Sequence, residues 1–194
     1  MRVEAATSAH AELLTALFDA AGSPCFCRFW HFEGTNNDWL ARCAGAPADN
    51  RAEMASGLER DAPDAHGVVA IEGDAIVGWA KLSPAESVPK IYARRLYKNL
   101  PCFGGDRAGV YTLGCVLVHP LHRRRGVARA LVAGAVAVAK ASGARAIEAF
   151  PRRPAEAVRD EELWTGPVGA FTASGFVEVS DFAPYPVLRR ELRA

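Results

Sequence analysis

The chain has 194 residues, half of them apolar and 23% charged, with a formal net charge of +1; that mixture describes one packed domain over 1–194 and excludes a disordered chain. The near-neutral balance gives no reason to expect a nucleic-acid partner, and no apolar run approaches the length of a membrane span or follows a basic leader at Met1. Five cysteines, an odd number, argue against a closed disulfide framework and for a reducing, cytoplasmic setting.

In chain order, residues 2–6 alternate like a strand, and Ser8 opens a helical stretch in which Ala11, Leu14, Phe18 and Ala21 share a face. Residues 23–49 mix aromatics, Gly, Asn and Pro without a period and are expected to form a loop-rich cap with one helical turn near Trp39. Cys25 and Cys27 lie there, but a spacing of one residue is not that of a zinc knuckle and no second pair follows, so packing is the better reading. Asn50 is expected to cap a helix to about residue 60. Residues 67–72 and 75–82 form a hairpin through Glu72-Gly73-Asp74. The connection over 83–108 carries Pro84, Pro89, Pro101 and Gly104-Gly105 and is assigned to the substrate side. A strand over 110–118 ends at Pro120, and an Ala-rich helix is expected over 124–142, with Val127, Leu131, Gly134 and Val138 along one stripe. A fifth strand over 146–150, a polar excursion over 151–162, a weak helix over 163–174 and two strands over 176–180 and 185–192 complete the count at seven strands.

The informative stretch is Val116-Leu117-Val118-His119-Pro120-Leu121-His122-Arg123-Arg124-Arg125-Gly126-Val127-Ala128-Arg129. A strand runs into a short turn and then a helix, so N–H groups at the helix start lack intrahelical acceptors, and the helix dipole adds positive character there. Gly126 and the small Ala128 let a bulky anion approach the main chain, and four arginines surround it. A phosphorylated ligand is therefore expected. Neither a Gly-Lys-Ser/Thr ending nor a Gly-x-Gly-x-x-Gly spacing is present, so nucleoside-triphosphate and dinucleotide loops fit poorly.

Arg123-x-x-Gly126-x-Ala128, preceded by Leu117-Val118-His119-Pro120, resembles the Arg/Gln-x-x-Gly-x-Gly/Ala signature of the GNAT (GCN5-related N-acetyltransferase) superfamily, and the order of elements matches that family across nearly the whole chain. The resemblance implies an α/β domain with a mixed, mostly antiparallel central sheet of about seven strands flanked by helices. It also implies transfer of an acetyl group from acetyl-CoA, a co-substrate used without a metal, to a primary amine of a small molecule or protein, by direct attack in a ternary complex. In similar proteins the main chain at Val116, Leu117 and Val118 meets the pantetheine arm, and the pyrophosphate rests on Arg124, Arg125, Gly126, Val127, Ala128 and Arg129, with Arg123 contributing charge. A Glu on the fifth strand of several relatives makes Glu148 the candidate general base, against the alternative of a salt-bridged strand residue. Phe171 stands where the family's Tyr would protonate the departing thiolate, and a phenyl ring has no proton to give.

The acceptor is expected among 24–39, 83–109 and the region of Pro184-Tyr185. His119 and His122 are expected to cap the turn or contact phosphate, and Cys115 to be a core residue. Other readings of the same residues are an acyl-CoA-binding sensor or interaction module without catalysis, or, for the arginine run, a solvated or nucleic-acid-binding face. Assembly as a homodimer is left open.

Overall fold

A computed structural model describes residues 1–192. One seven-stranded sheet runs β1-β2-β3-β4-β5-β7-β6, with β1 Arg2–Ala5, β2 Gly67–Glu72, β3 Ala75–Pro84, β4 Val110–Val118, β5 Ala146–Ala149, β6 Val177–Ser180 and β7 Val187–Glu191. Among these strands only β4 and β5 pair in parallel; the other neighbours are antiparallel. This is the mixed, mostly antiparallel α/β sheet that the family resemblance implies.

Helices cover both faces. On one side lie α1 (Ala11–Ala20), α2 (Asn36–Gly45) and α3 (Pro47–Glu59), and on the other α5 (Val127–Ala141) and α6 (Val168–Thr172), with the short α4 (Pro89–Tyr92) in the connection before β4. Leu14, Leu17 and Phe18 of α1 pack with Trp79 and Cys115 in one core, while Leu131, Val132 and Ala135 of α5 pack with Val68, Leu113 and Ile147 in the other. The two cores follow from the period-two alternation of the strands, whose successive side chains point to opposite faces. Gly78 sets the depth of α5: a β-carbon there would come within 2.7 Å of Val127 and 2.9 Å of Leu131. Close helix-on-sheet packing therefore requires that residue.

Four helix expectations are corrected. The loop-rich cap contains two helices: α2 is opened by a box in which the Thr35 side chain accepts from the Asp38 amide and the Asp38 carboxylate accepts from the Thr35 amide, and α3 begins at Pro47 rather than at Asn50. Asn50 is instead buried inside α3, its amide donating to the Pro24 carbonyl at 3.0 Å. The helix after the arginine turn begins at Val127, three residues later than expected. The last helix shrinks to α6, because Gly166 adopts a left-handed φ of 89° and the helix starts only after its N-cap, Pro167.

Candidate active site

β4 has nine residues, but its register with β5 runs only from Val110↔Ala146 to Leu113↔Ala149. Beyond Leu113 the two strands part, leaving one edge of residues 114–118 without a β5 partner. Alternation along the strand turns the N–H groups of Val116 and Val118 to that same open edge. The Val116 amide donates there to the Trp164 carbonyl at 2.8 Å, so residues 160–167 cross the opening.

At the end of β4 the chain makes a 3-10 turn over Pro120–His122 and enters the arginine run. Arg124 (φ 57°) and Gly126 (φ 83°) are both left-handed, which curls the main chain into a concave turn of the kind that collects N–H groups toward one point. Gly126 is the N-cap of α5 and has no side-chain cap. The first intrahelical bond runs from the Ala130 amide to the Gly126 carbonyl at 3.0 Å, so the amides of Val127, Ala128 and Arg129 precede any intrahelical acceptor. A β-carbon placed on Gly126 would meet nothing within 4 Å, so the space beside the turn is open at that residue. The amides fit the diphosphate of a nucleotide thioester, with the arginines supplying full positive charge.

A cavity of about 910 Å³ joins this turn to the interior. Its wall includes Val116, Leu117, Val118, Arg123, Arg124, Gly126, Val127, Ala128 and Arg129, nine of the ten residues expected to meet the coenzyme. Arg125 is not part of the wall. The cavity passes through the gap between β4 and β5, because it is walled both by Val116 and Ala170 from the α5–α6 side and by Phe18, Cys27 and Cys115 from the α1–α3 side. Asp160 and Glu161 also line it; Asp160 accepts from Arg124 at 2.8 Å and Glu161 pairs with Arg123. The Arg123 guanidinium holds the Glu161 carboxyl below the usual range. The histidines of the turn serve it locally: His119 Nδ1 accepts from the Leu121 amide at 3.2 Å, and His122 Nδ1 lies 3.0 Å from Glu72.

Glu148 sits elsewhere. Its side chain is fully buried and does not wall the cavity. Oε1 accepts from Arg107 at 2.9 Å and from Arg189 at 2.7 Å, and Oε2 accepts from Arg107 at 2.5 Å and from the Tyr92 hydroxyl at 2.8 Å. Burial first, and then the Glu148 charge, push the Tyr92 phenol up, so it remains a donor. Tyr92, Tyr97 and Phe103, in the 83–109 stretch assigned to the acceptor, pack around Phe150. Of the three stretches assigned to the acceptor, only 24–39 reaches the cavity, through Pro24, Cys25, Cys27, Phe29 and Trp39. Phe171 is fully buried, edge-on to Phe176 with ring centroids 5.4 Å apart, and is not part of the cavity wall.

Sequence reasoning missed the Arg107–Glu148–Arg189 cluster. Its members are 41 residues apart on either side, and no local pattern marks them. It also missed residues 160–167 as a strap across β4; the run Asp160-Glu161-Glu162 was the available signal, as the chain's densest acidic counterpart to the arginine run.

No curated protein matches the chain. Among solved structures it resembles the GNAT domain of S. lividans PAT (20% identity, 98% of this chain and 90% of that one, TM-score 0.58). It also resembles the PaiA N-acetyltransferase of Thermoplasma acidophilum, solved with coenzyme A (9% identity, 98% and 99%, TM-score 0.55), and YncA of Salmonella typhimurium, solved with acetyl-CoA (14% identity, 99% and 94%, TM-score 0.50). At these identities the likeness is one of fold. The model of the acetyltransferase (GNAT) family matches residues 34–159, from the second helix through the arginine turn to the edge of the strap, and the chain belongs to that family of acyltransferases.

Proposed function

We propose that the protein transfers an acetyl group from acetyl-CoA to a primary amine by direct attack within a ternary complex. The observation that carries this reading is the continuous cavity running from the uncapped mouth of α5, past the open edge of β4, to an apolar end on the opposite face of the sheet. The amides of Val127, Ala128 and Arg129 hold the diphosphate, with Arg123, Arg124 and Arg129 screening its charge and Arg125 acting from outside the cavity wall. The main chain of Val116, Leu117 and Val118 directs the thioester arm inward, the Trp164 carbonyl giving up the Val116 amide as the arm enters. The coenzyme supplies the activated acyl carbonyl; the chain supplies orientation.

Direct attack is favoured because two of the thiols beside the path, Cys25 and Cys27, stay protonated. Hydrogen bonding to Cys27 pushes the Cys25 thiol up, and burial pushes Cys27 up, so neither offers a thiolate to take the acyl group. Glu148 is assigned a positioning role instead of that of base. Both its oxygens are occupied by two guanidinium groups and a phenol, and it does not wall the cavity. The amine accordingly enters as its free base, and its proton leaves through water. Five unpaired cysteines fit a cytoplasmic setting.

The test is a thermal-shift titration with coenzyme A and acetyl-CoA, followed by mass spectrometry of products from a panel of amines. Stabilisation by both ligands and product formation dependent on acetyl-CoA are expected. Absence of any shift would refute the binding reading, and binding without product from any amine would refute the reaction.

A further inference from the structure

The cavity does not stop at β4. Past Cys115 it continues between Phe18, Pro24, Cys27, Phe29 and Trp39, on the α1–α3 face of the sheet. We propose that this far end is an acyl subsite, so that the preferred donor carries an apolar chain of several carbons beyond the thioester carbonyl in place of the single methyl of acetyl-CoA. The proposal rests on the cofactor reading above and deepens it.

Three observations choose this occupant. First, the far end is continuous with the path of the thioester arm, and Cys115, three residues before Val118 on β4, marks the junction. Second, all the charged residues in the cavity wall belong to the other end: Arg123, Arg124 and Arg129 in the turn, and Asp160 and Glu161 in the strap. An ammonium acceptor drawn into the aromatic end would lose its water and find no counter-charge, whereas an alkyl chain loses nothing. Third, the pocket is built and braced. Phe29 and Trp39 meet edge-on with centroids 5.6 Å apart, Phe32 supports Trp39 at 5.2 Å, and the Lys90 ammonium lies 4.3 Å from the Phe29 ring centroid. Phe26 and Cys27 are successive non-glycine residues in the left-handed region, with φ 44° and 53°. That conformation is costly and persists only where the surroundings enforce it; here the Trp79 indole N–H donates to Cys27 Sγ at 3.1 Å and Phe18 stacks on Phe26 at 4.7 Å. A preformed wall avoids the ordering cost of binding a chain.

The experiment is calorimetric binding of coenzyme A, acetyl-CoA, butyryl-CoA, hexanoyl-CoA and octanoyl-CoA to the full chain, which needs no acceptor. Each buried methylene should tighten binding about fourfold, or roughly two-hundredfold from acetyl to hexanoyl, until the pocket is full. Trp39→Ala and, as a milder change that keeps an apolar wall, Phe29→Leu should each cut the hexanoyl-to-acetyl ratio several-fold. A flat series with coenzyme A itself bound would overturn the subsite alone, as would protection of Trp39 fluorescence by an aromatic amine but not by hexanoyl-CoA. Failure of coenzyme A itself to bind would overturn the cofactor reading and the subsite with it.

Discussion

Glu148→Gln separates the two roles that a carboxylate on β5 can play. The substitution keeps the shape of the side chain and removes its charge, leaving the Arg107 and Arg189 guanidinium groups facing each other across a neutral amide. Of the four hydrogen bonds received by the two carboxylate oxygens, the carbonyl of Gln retains those at one corner, and its NH₂ group meets donors at the other. Breaking a buried ion pair in this way costs about 3–5 kcal/mol. The arginine side chains are 24% and 16% exposed, so water softens the penalty toward the lower figure. A loss of about 3 kcal/mol lowers the melting temperature of a chain this size by roughly 6–12 °C. Urea denaturation reads the stability, and the pH dependence of kcat/KM with one amine reads the chemistry. The expected result is a destabilised enzyme whose pH profile still follows the acceptor amine. A variant as stable as the parent, but with the rise of kcat/KM with pH displaced or abolished, would refute the positioning role and make Glu148 the base.

Other perturbations address the turn, the strap and the helical cap. Gly126→Val forces a β-branched residue to φ 83°, a conformational cost of roughly 1–2 kcal/mol, and adds a side chain at a residue that walls the cavity; calorimetry should show coenzyme A binding lost while circular dichroism shows the fold retained, and unchanged affinity would count against the turn. Asp160→Asn with Glu161→Gln removes the carboxylates that occupy Arg124 and Arg123. Coenzyme A should then bind about twofold to fivefold tighter at low salt and with no difference at high salt, and weaker binding would show that the strap assists the ligand. His31 is held neutral, its pKa lowered to about 3 by burial first and by Lys81 and Arg28 next. Because the unfolded imidazole takes up its proton near 6.5 and the folded one near 3, the unfolded state binds more protons in between; stability present above pH 6.5 is lost progressively as pH falls toward 3. His31→Gln should flatten that part of the denaturation profile, and an unaltered slope would assign the acid sensitivity elsewhere.

What could be read from the residues, and what could not, divides by the range of the interactions involved. β4, the arginine turn and the start of α5 are contiguous, and each carries a local reason for its shape: an apolar strand, Pro120, an uncapped glycine, then an Ala-rich stripe. Nine of the ten residues expected at the coenzyme consequently wall one cavity. α2 was obscure because it buries chiefly Trp39, so no apolar period announces it, although Thr35-x-x-Asp38 and Pro47 were usable signals for α2 and α3. Tertiary bonds such as that of Asn50 to the Pro24 carbonyl hold that region together. Glu148 was placed on the right strand, but its surroundings depend on Arg107 and Arg189, and on Tyr92, which lies 56 residues away in sequence. No window of sequence contains them together.

The distribution of charge along the cavity links these results. Cations and free amides gather where the donor's phosphates would lie, and the carboxylates Asp160 and Glu161 stand at that same end as replaceable partners. At the opposite end the wall carries no charge and is largely apolar, with Ser23 and the thiols of Cys25 and Cys27 among its aromatic rings, while Phe171 is enclosed in the α6 packing and Glu148 is consumed by its arginines. In the proposed reaction, binding energy is concentrated on the part of the donor that does not react, which serves to hold the reacting carbonyl in place, and proton transfer is left to the acceptor and to water. An amine that is already neutral at working pH suits such a site better than one that must be deprotonated inside it, because a buried ammonium without a partner is costly.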